Sequence, residues 1–223
     1  MRSVHSAIVG TKLGRVAIAA GAGYLLGSIP MGVIVGRLTA GVDVRKYGSR
    51  VSGATNVLRA AGPAAAAATF GLDTAKGYLA ARMGARVAGD EGVVAAAVGA
   101  AVGHSWPVFA EFQGGRSVLT CWGSLIAMDP PAAGAAAFAA AATAATTRYV
   151  SVGALTGVGV ATAATLLRAR RRPGKASLFC LFTLGFLVYR HQDNLDRLRR
   201  GEEHRLGDQI NAAKAGALLG QES

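Results

Sequence analysis

The sequence predicts an all-α, polytopic integral membrane bundle of about six or seven short transmembrane helices. Three observations lead to it. Of 223 residues, 52% are hydrophobic and only 16% charged, with a mean hydropathy of +0.36, too apolar for an ordinary soluble domain. Long apolar runs alternate with short clusters of Arg and Lys, and a bilayer core of about 30 Å needs roughly 20 apolar residues as helix. The runs are rich in Ala and Gly, as at Ala64 to Ala68 and Ala135 to Ala142, which lets helices pack closely in lipid.

The first span is expected over Val16 to Gly36, interrupted only by Tyr24, Ser28 and Pro30. It exceeds the roughly 7–15 apolar residues of a secretory signal, and further apolar runs follow it. Those runs are Ala60 to Ala81, Gly92 to Ala110, Val118 to Met128, Ala132 to Thr147, Tyr149 to Leu167 and Ala176 to Tyr189. Several are short for a crossing, so tilted, broken or half-buried helices are expected where backbone faces protein or water. One domain over residues 1–223 is expected, with a short polar tail over 201–223.

The net charge of +12 raises the question of nucleic acid, but the cations sit beside apolar runs and no recognition motif accompanies them. Membrane topology and anionic ligands account for them better. The clusters are Arg45, Lys46, Arg50 and Arg59; Arg168 to Lys175; and Arg190 to Arg205. If Ala176 to Tyr189 crosses, the last two cannot both lie on the positive side. Cys121 and Cys180, without metal-ligand spacing, read as small buried hydrophobes.

Three polar segments carry chemistry. In Asp43 to Arg59, Gly48 and Gly53 allow tight turns, Ser49, Ser52 and Thr55 add donors, Asn56 adds an amide, and Arg59 offers a fork for phosphate. A loop that only anchors topology is the alternative. In Gly103 to Thr120, Gly114 and Gly115 bring backbone amides close to a ligand, and Arg116 stands at the N-terminus of the Val118 helix. Trp106, Phe109 and Phe112 read as interfacial belt residues, and His104 as either a ligand contact or a structural histidine. In Tyr189 to His204, helical spacing puts His191 and Asn194 on one face, able to donate to a substrate oxygen. Asp73 and Lys76, inside an apolar run, are spaced for a mutual ion pair.

Taken together these segments resemble the acyl-phosphate-dependent glycerol-3-phosphate acyltransferases of bacterial inner membranes. The resemblance rests on Gly27 to Pro30, Gly53 to Arg59, Asp73 with Lys76-Gly77, Gly103-His104, Pro107 to Phe109, Gly114-Gly115, and His191, Asn194 and Arg197-Leu198. It implies transfer of a fatty acyl group from acyl-phosphate to the 1-hydroxyl of sn-glycerol 3-phosphate, at the cytoplasmic face of a multi-pass protein. It also implies membrane lipid as surroundings, no cofactor, no metal, and a general base supplied by the substrate's own phosphate. Ser49, Thr55, Asn56, Arg59, His104, Gly114, Gly115 and Arg116 are then the substrate and phosphate residues, and His191 and Asn194 the catalytic pair.

The chain departs from the family pattern at informative positions. The family reads Ser-Gly-Asn where this chain has Ser49-Arg50-Val51, and Lys-Gly after its glycine pair where this chain has Arg116-Ser117. Gln113 and Gln192 stand where the family has Lys and Arg. A catalytically impaired paralogue, or a membrane anion or lipid transporter, is the alternative. Convergence of the polar residues at one face favours the enzyme, and a polar passage through the bundle favours the transporter.

Overall fold

The computed structural model describes residues 11–169 and 173–207, which form helices and connecting loops. Most of the expected polar tail, residues 208–223, and Arg170 to Arg172 of the second cationic cluster lie outside the described residues. The helices are α1 (Lys12–Gly27), α2 (Met31–Ala40), α3 (Ala54–Ser105), α4 (Val118–Met128), α5 (Pro130–Thr147), α6 (Val150–Ala169), α7 (Lys175–Arg190) and α8 (Gln192–Arg199).

The expected first span is two helices. Pro30 has no amide hydrogen and biases Ile29 away from helical geometry, so α1 stops at Gly27 and α2 restarts at Met31. The long α3 departs from helical geometry at Gly62 (φ 83°), before Pro63, and again at Ala88 and Gly89 (φ 60°). These breaks leave segments 54–61, 63–87 and 90–105. The last two fold back on each other, bringing Asp73 beside His104 and Gly84 against Gly92. With the two arms taken separately, α1, α4, α5, α6 and α7 bring the apolar segments to seven among the described residues. At 11 residues α4 is too short to cross.

Small residues set the packing. A Cβ added at Gly23 or Gly27 would overlap the carbonyl oxygen of Ala96 or Ala100, and one at Gly99 or Gly103 that of Ala20 or Tyr24. Thus α1 lies along the 90–105 arm with backbones in contact. Gly77 and Gly123 join the 63–87 arm to α4 in the same way, against the carbonyls of Thr120 and Thr74. Apolar surface gains little by leaving lipid for protein, so this close dispersion contact, available only without a Cβ, is what holds the helices together. Phe179, Leu187, Cys121, Ala97 and Ala101 form the core, with both cysteines buried and free.

Crossing the bundle, α7 starts at Lys175, paired with Asp90 at 2.5 Å, and ends at Arg190, which donates to the Gly115 carbonyl. The second and third cationic clusters therefore lie at opposite ends. At the Lys175 end acids match the cations, as in Lys12–Glu91 (2.7 Å) and Arg168–Asp129 (2.9 Å).

Candidate active site

At the Arg190 end, a polar cavity of about 280 Å³ opens where four helices begin: α3 at Gly53 to Thr55, α4 at Ser117 to Leu119, α6 at Val150 and Ser151, and α8 at His191 to Asn194. The first amides of a helix lack internal partners and carry the positive end of its dipole, so this convergence favours an anion. Arg59, Arg116 and Arg197 add full charges to the same walls.

The Asp43 to Arg59 loop is locked by its own polar groups. Asp43 accepts from Arg45 Nη2 at 2.7 Å and Nε at 3.0 Å and from Arg37 at 2.9 Å, and the Arg45 guanidinium holds its carboxyl well below the usual carboxylate range. Asn56, expected to bind substrate, lines the cavity while its amide is bonded to the backbone. Its Nδ2 donates to the carbonyls of Val44 (2.7 Å), Val51 (2.9 Å) and Tyr47 (3.1 Å), and its Oδ1 accepts from the Ser49 amide at 3.1 Å. Asn56 thus shapes the loop that presents Ser49. Ser49, Thr55 and Arg59 line the cavity as well. Arg50 adopts φ 56°, at the position where a glycine is expected by the family pattern.

The glycine pair packs against His104. Gly114 and Gly115 are buried and are not among the residues that line the cavity. A Cβ on Gly114 would overlap the His104 carbonyl, one on Gly115 would overlap His104 Nε2, and the Gly115 amide donates to His104 O at 3.0 Å. The glycines let the turn lie on His104, which supports the loop and itself lines the cavity. Ser117, the second glycine substitution, has φ 63°, with its hydroxyl donating to Ala101 O at 2.6 Å and 2.8 Å from the Ser105 hydroxyl. Arg116 does reach the cavity. Burial and then the nearby Arg197 bring its pKa down to about 10, which leaves it charged at neutral pH. Of the expected belt, Phe109 and Phe112 are exposed, whereas Trp106 stacks under Arg190 at 4.8 Å.

His191 and Asn194 both line the cavity, but not from one continuous helix. His191 (φ −107°, ψ 12°) closes α7 and caps α8. His191 Nδ1 lies 2.8 Å from the Leu187 carbonyl, which can only accept, so Nδ1 carries the proton and Nε2 is an acceptor. Burial, and then the Arg116 charge, push His191 down to about 4, so the ring is neutral at physiological pH. Asn194 Nδ2 donates to Glu203 Oε1 at 2.5 Å, leaving Oδ1 unpartnered among the described residues. The pair expected to donate to a substrate oxygen instead offers two acceptors, suited to hydroxyl groups.

Glu203 escapes a reading by motif. Its Oε1 also accepts from Ser151, and its Oε2 from Arg197 Nε at 2.9 Å, so it fixes α8 against α6 and lowers its own pKa through these hydrogen bonds against the cost of burial. Gly201 makes this possible. At φ 72° its amide donates to Leu198 O, and the Glu202 amide to Arg197 O, a left-handed stop that turns the chain back to the cavity. The available signal was that glycine after a basic helix, followed by two acids.

A second cavity of about 380 Å³, almost wholly apolar, shares Phe70, Val118, Leu119, Ala140 and Ala154 with the first and ends against Leu125, Ala161 and Phe179. The ion pair expected of Asp73 and Lys76 forms at 2.8 Å.

Residues 17–201 match the family described as glycerol-3-phosphate acyltransferase. The chain is 44% identical over 187 residues to a glycerol-3-phosphate acyltransferase of Symbiobacterium thermophilum, covering 83% of this chain and 92% of that one. It is 41% identical to glycerol-3-phosphate acyltransferase 2 of Moorella thermoacetica, covering 83% and 94%. Among solved structures it is similar to PlsY (YgiH), an integral membrane glycerol 3-phosphate acyltransferase, in its glycerol 3-phosphate form (TM-score 0.79, 32% identity, 89% of this chain and 96% of that one). The lysophosphatidic acid form matches at TM-score 0.78 and 30% identity, covering 86% and 95%.

Proposed function

The chain belongs to the glycerol-3-phosphate acyltransferase family, and on that premise we propose that it takes a fatty acyl group from acyl-phosphate to the 1-hydroxyl of sn-glycerol 3-phosphate, releasing phosphate and lysophosphatidic acid. The observation that carries this reading is the shared wall between the two cavities. A cationic chamber ringed by helix N-termini suits two phosphates, and the apolar chamber continuous with it suits the tail of a donor that carries both a phosphate and a hydrocarbon chain.

Attack by the 1-hydroxyl oxygen forms its bond to the acyl carbon, the bond from that carbon to the phosphate oxygen breaks, and the hydroxyl proton leaves to phosphate. Acyl-phosphate is already activated, so positioning and stabilisation of developing charge supply most of the rate. Arg59 and Arg116 serve the phosphates and the leaving group, with Ser49 and Thr55 as hydroxyl donors. His191 Nε2 and Asn194 Oδ1 accept from glycerol hydroxyls and orient the nucleophile. A substrate phosphate as the base suits a site whose nearby carboxylates, Asp73 and Glu203, already hold ion pairs.

Convergence of Arg59, Arg116, Arg197, His191 and Asn194 at one end supports acyl transfer over the transport alternative. The substitutions at Arg50 and Ser117 keep the left-handed backbone that glycine would supply, which supports an active enzyme over an impaired one. The excess of arginine at the cavity end supports a cytoplasmic orientation for that end, in a bacterial inner membrane.

The test is phosphate release from acyl-phosphate by purified protein, with and without glycerol 3-phosphate. Release dependent on both, with lysophosphatidate formed, is expected; folded protein giving none across several acyl lengths would overturn the reading.

A further inference from the structure

In the wall of the phosphate chamber Asp73 and His104 form, with Lys76, a buried chain of contacts that the reaction as described does not use. Asp73 Oδ1 is 2.8 Å from Lys76 Nζ and 3.4 Å from His104 Nδ1, and the three side chains are 1%, 2% and 6% exposed. We propose that Asp73 is a positioning residue: through His104 it seats the Gly114–Gly115–Arg116 turn and so sets the affinity for glycerol 3-phosphate. The inference rests on the reaction proposed above for the identity of the ligand.

Stability alone does not explain the cluster. Removing two charges from water costs about as much as their attraction returns, so a buried ion pair is weak evidence for stability, and ionisable groups at membrane depth are retained where they have work to do. The pair is also connected at both ends. Lys76 Nζ donates to the Ile29 carbonyl at 3.0 Å, at the break that Pro30 makes between α1 and α2. Asp73 faces the near side of the His104 ring, and the far side, Nε2, lies against Gly115 with no room for a Cβ between them.

The turn is thus held to His104 twice, by this ring contact and by the Gly115 amide on the His104 carbonyl at 3.0 Å. An acceptor facing Nδ1 selects the tautomer protonated there and fixes the ring's rotation, as carboxylates do for metal-bound histidines. A ring that rotates has to move Gly115. Arg116 follows directly, and a misplacement of about 1 Å is enough to spoil an oriented phosphate contact.

The test uses Asp73→Leu/Lys76→Met, which removes both charges and the acceptor facing Nδ1 with side chains of similar branching and length, and leaves neither charge unpaired. Glycerol 3-phosphate is titrated calorimetrically into the purified protein, and the unfolding midpoint and the KM for acyl-phosphate are measured alongside. The expected result is at least about tenfold weaker binding of glycerol 3-phosphate. The midpoint should stay within about 3 °C and the KM for acyl-phosphate within about twofold. Unchanged affinity, or an affinity lost only together with the midpoint and the second substrate, would overturn the inference. Asp73→Glu keeps the charge but displaces the carboxylate, and is expected to give the same selective loss should the double variant fail to fold. Calorimetry reads binding without turnover, so a wild-type chain that binds glycerol 3-phosphate yet forms no lysophosphatidate would overturn the reaction and leave this inference standing.

Discussion

Glu203 accepts a hydrogen bond of 2.9 Å from Ser151, 52 residues earlier in the chain, and in doing so joins the end of the described chain to the start of α6. Because the same carboxylate holds Asn194 and Arg197, Glu203→Gln leaves the Arg197 charge without its counter-ion inside the cavity wall. A loss of about 2 kcal/mol in stability is expected, together with lower acyl transfer. Thermal unfolding and initial rates on the same sample check this, and a variant matching wild type in both would show that the network contributes nothing.

Arg59 lines the phosphate chamber with no ion-pair partner among the described residues. Arg59→Ala should therefore cost more than about 1.5 kcal/mol of transition-state binding, seen as a fall of more than about tenfold in kcat/KM for glycerol 3-phosphate. Unchanged kinetics would remove Arg59 from the site.

Arg50 is exposed and holds φ 56°. A non-glycine residue there costs roughly 1–2 kcal/mol, partly offset by the greater freedom glycine has in the unfolded chain. Arg50→Gly should raise stability by about 0.5–1 kcal/mol, readable as a higher unfolding midpoint. A lower midpoint would mean that the arginine makes a compensating contact.

The pH dependence of stability should carry the signature of His191. Its folded pKa is depressed from 6.5 to about 4, so between these values the unfolded chain binds the extra proton. Stability is then fully present above pH 6.5 and falls as the pH drops towards 4, by up to about 3 kcal/mol from this group. Asp43 and Glu203, whose pKa values are also lowered, add losses of the same sign at lower pH. Comparison with His191→Gln isolates the histidine: a variant whose midpoint follows the wild-type curve from pH 7 to 4.5 would refute the assignment.

The sequence by itself determined the membrane class, the seven apolar segments and the three polar segments that meet at the site. Each is written in contiguous chain: apolar run length against bilayer thickness, Gly and Ala where backbones touch, cations grouped between runs. Pro30 and Gly201 act through backbone constraints equally local, and their consequences at α1 and α8 follow from single residues. Tertiary structure decided which atom of each polar residue faces the cavity. Asn56 was legible as a site residue, yet three carbonyls and one amide from its own loop consume its side chain. His104 and the glycine pair were legible as a motif, yet their arrangement, with the histidine supporting the turn, depends on a fold-back that brings residue 104 to residue 73. His191 becomes an acceptor because its one N–H is donated to the Leu187 carbonyl, and Glu203 matters because Ser151 lies across from it. Spacing along the chain fixes which residues share a helix face. Donor and acceptor roles depend on partners that only packing brings within 3 Å.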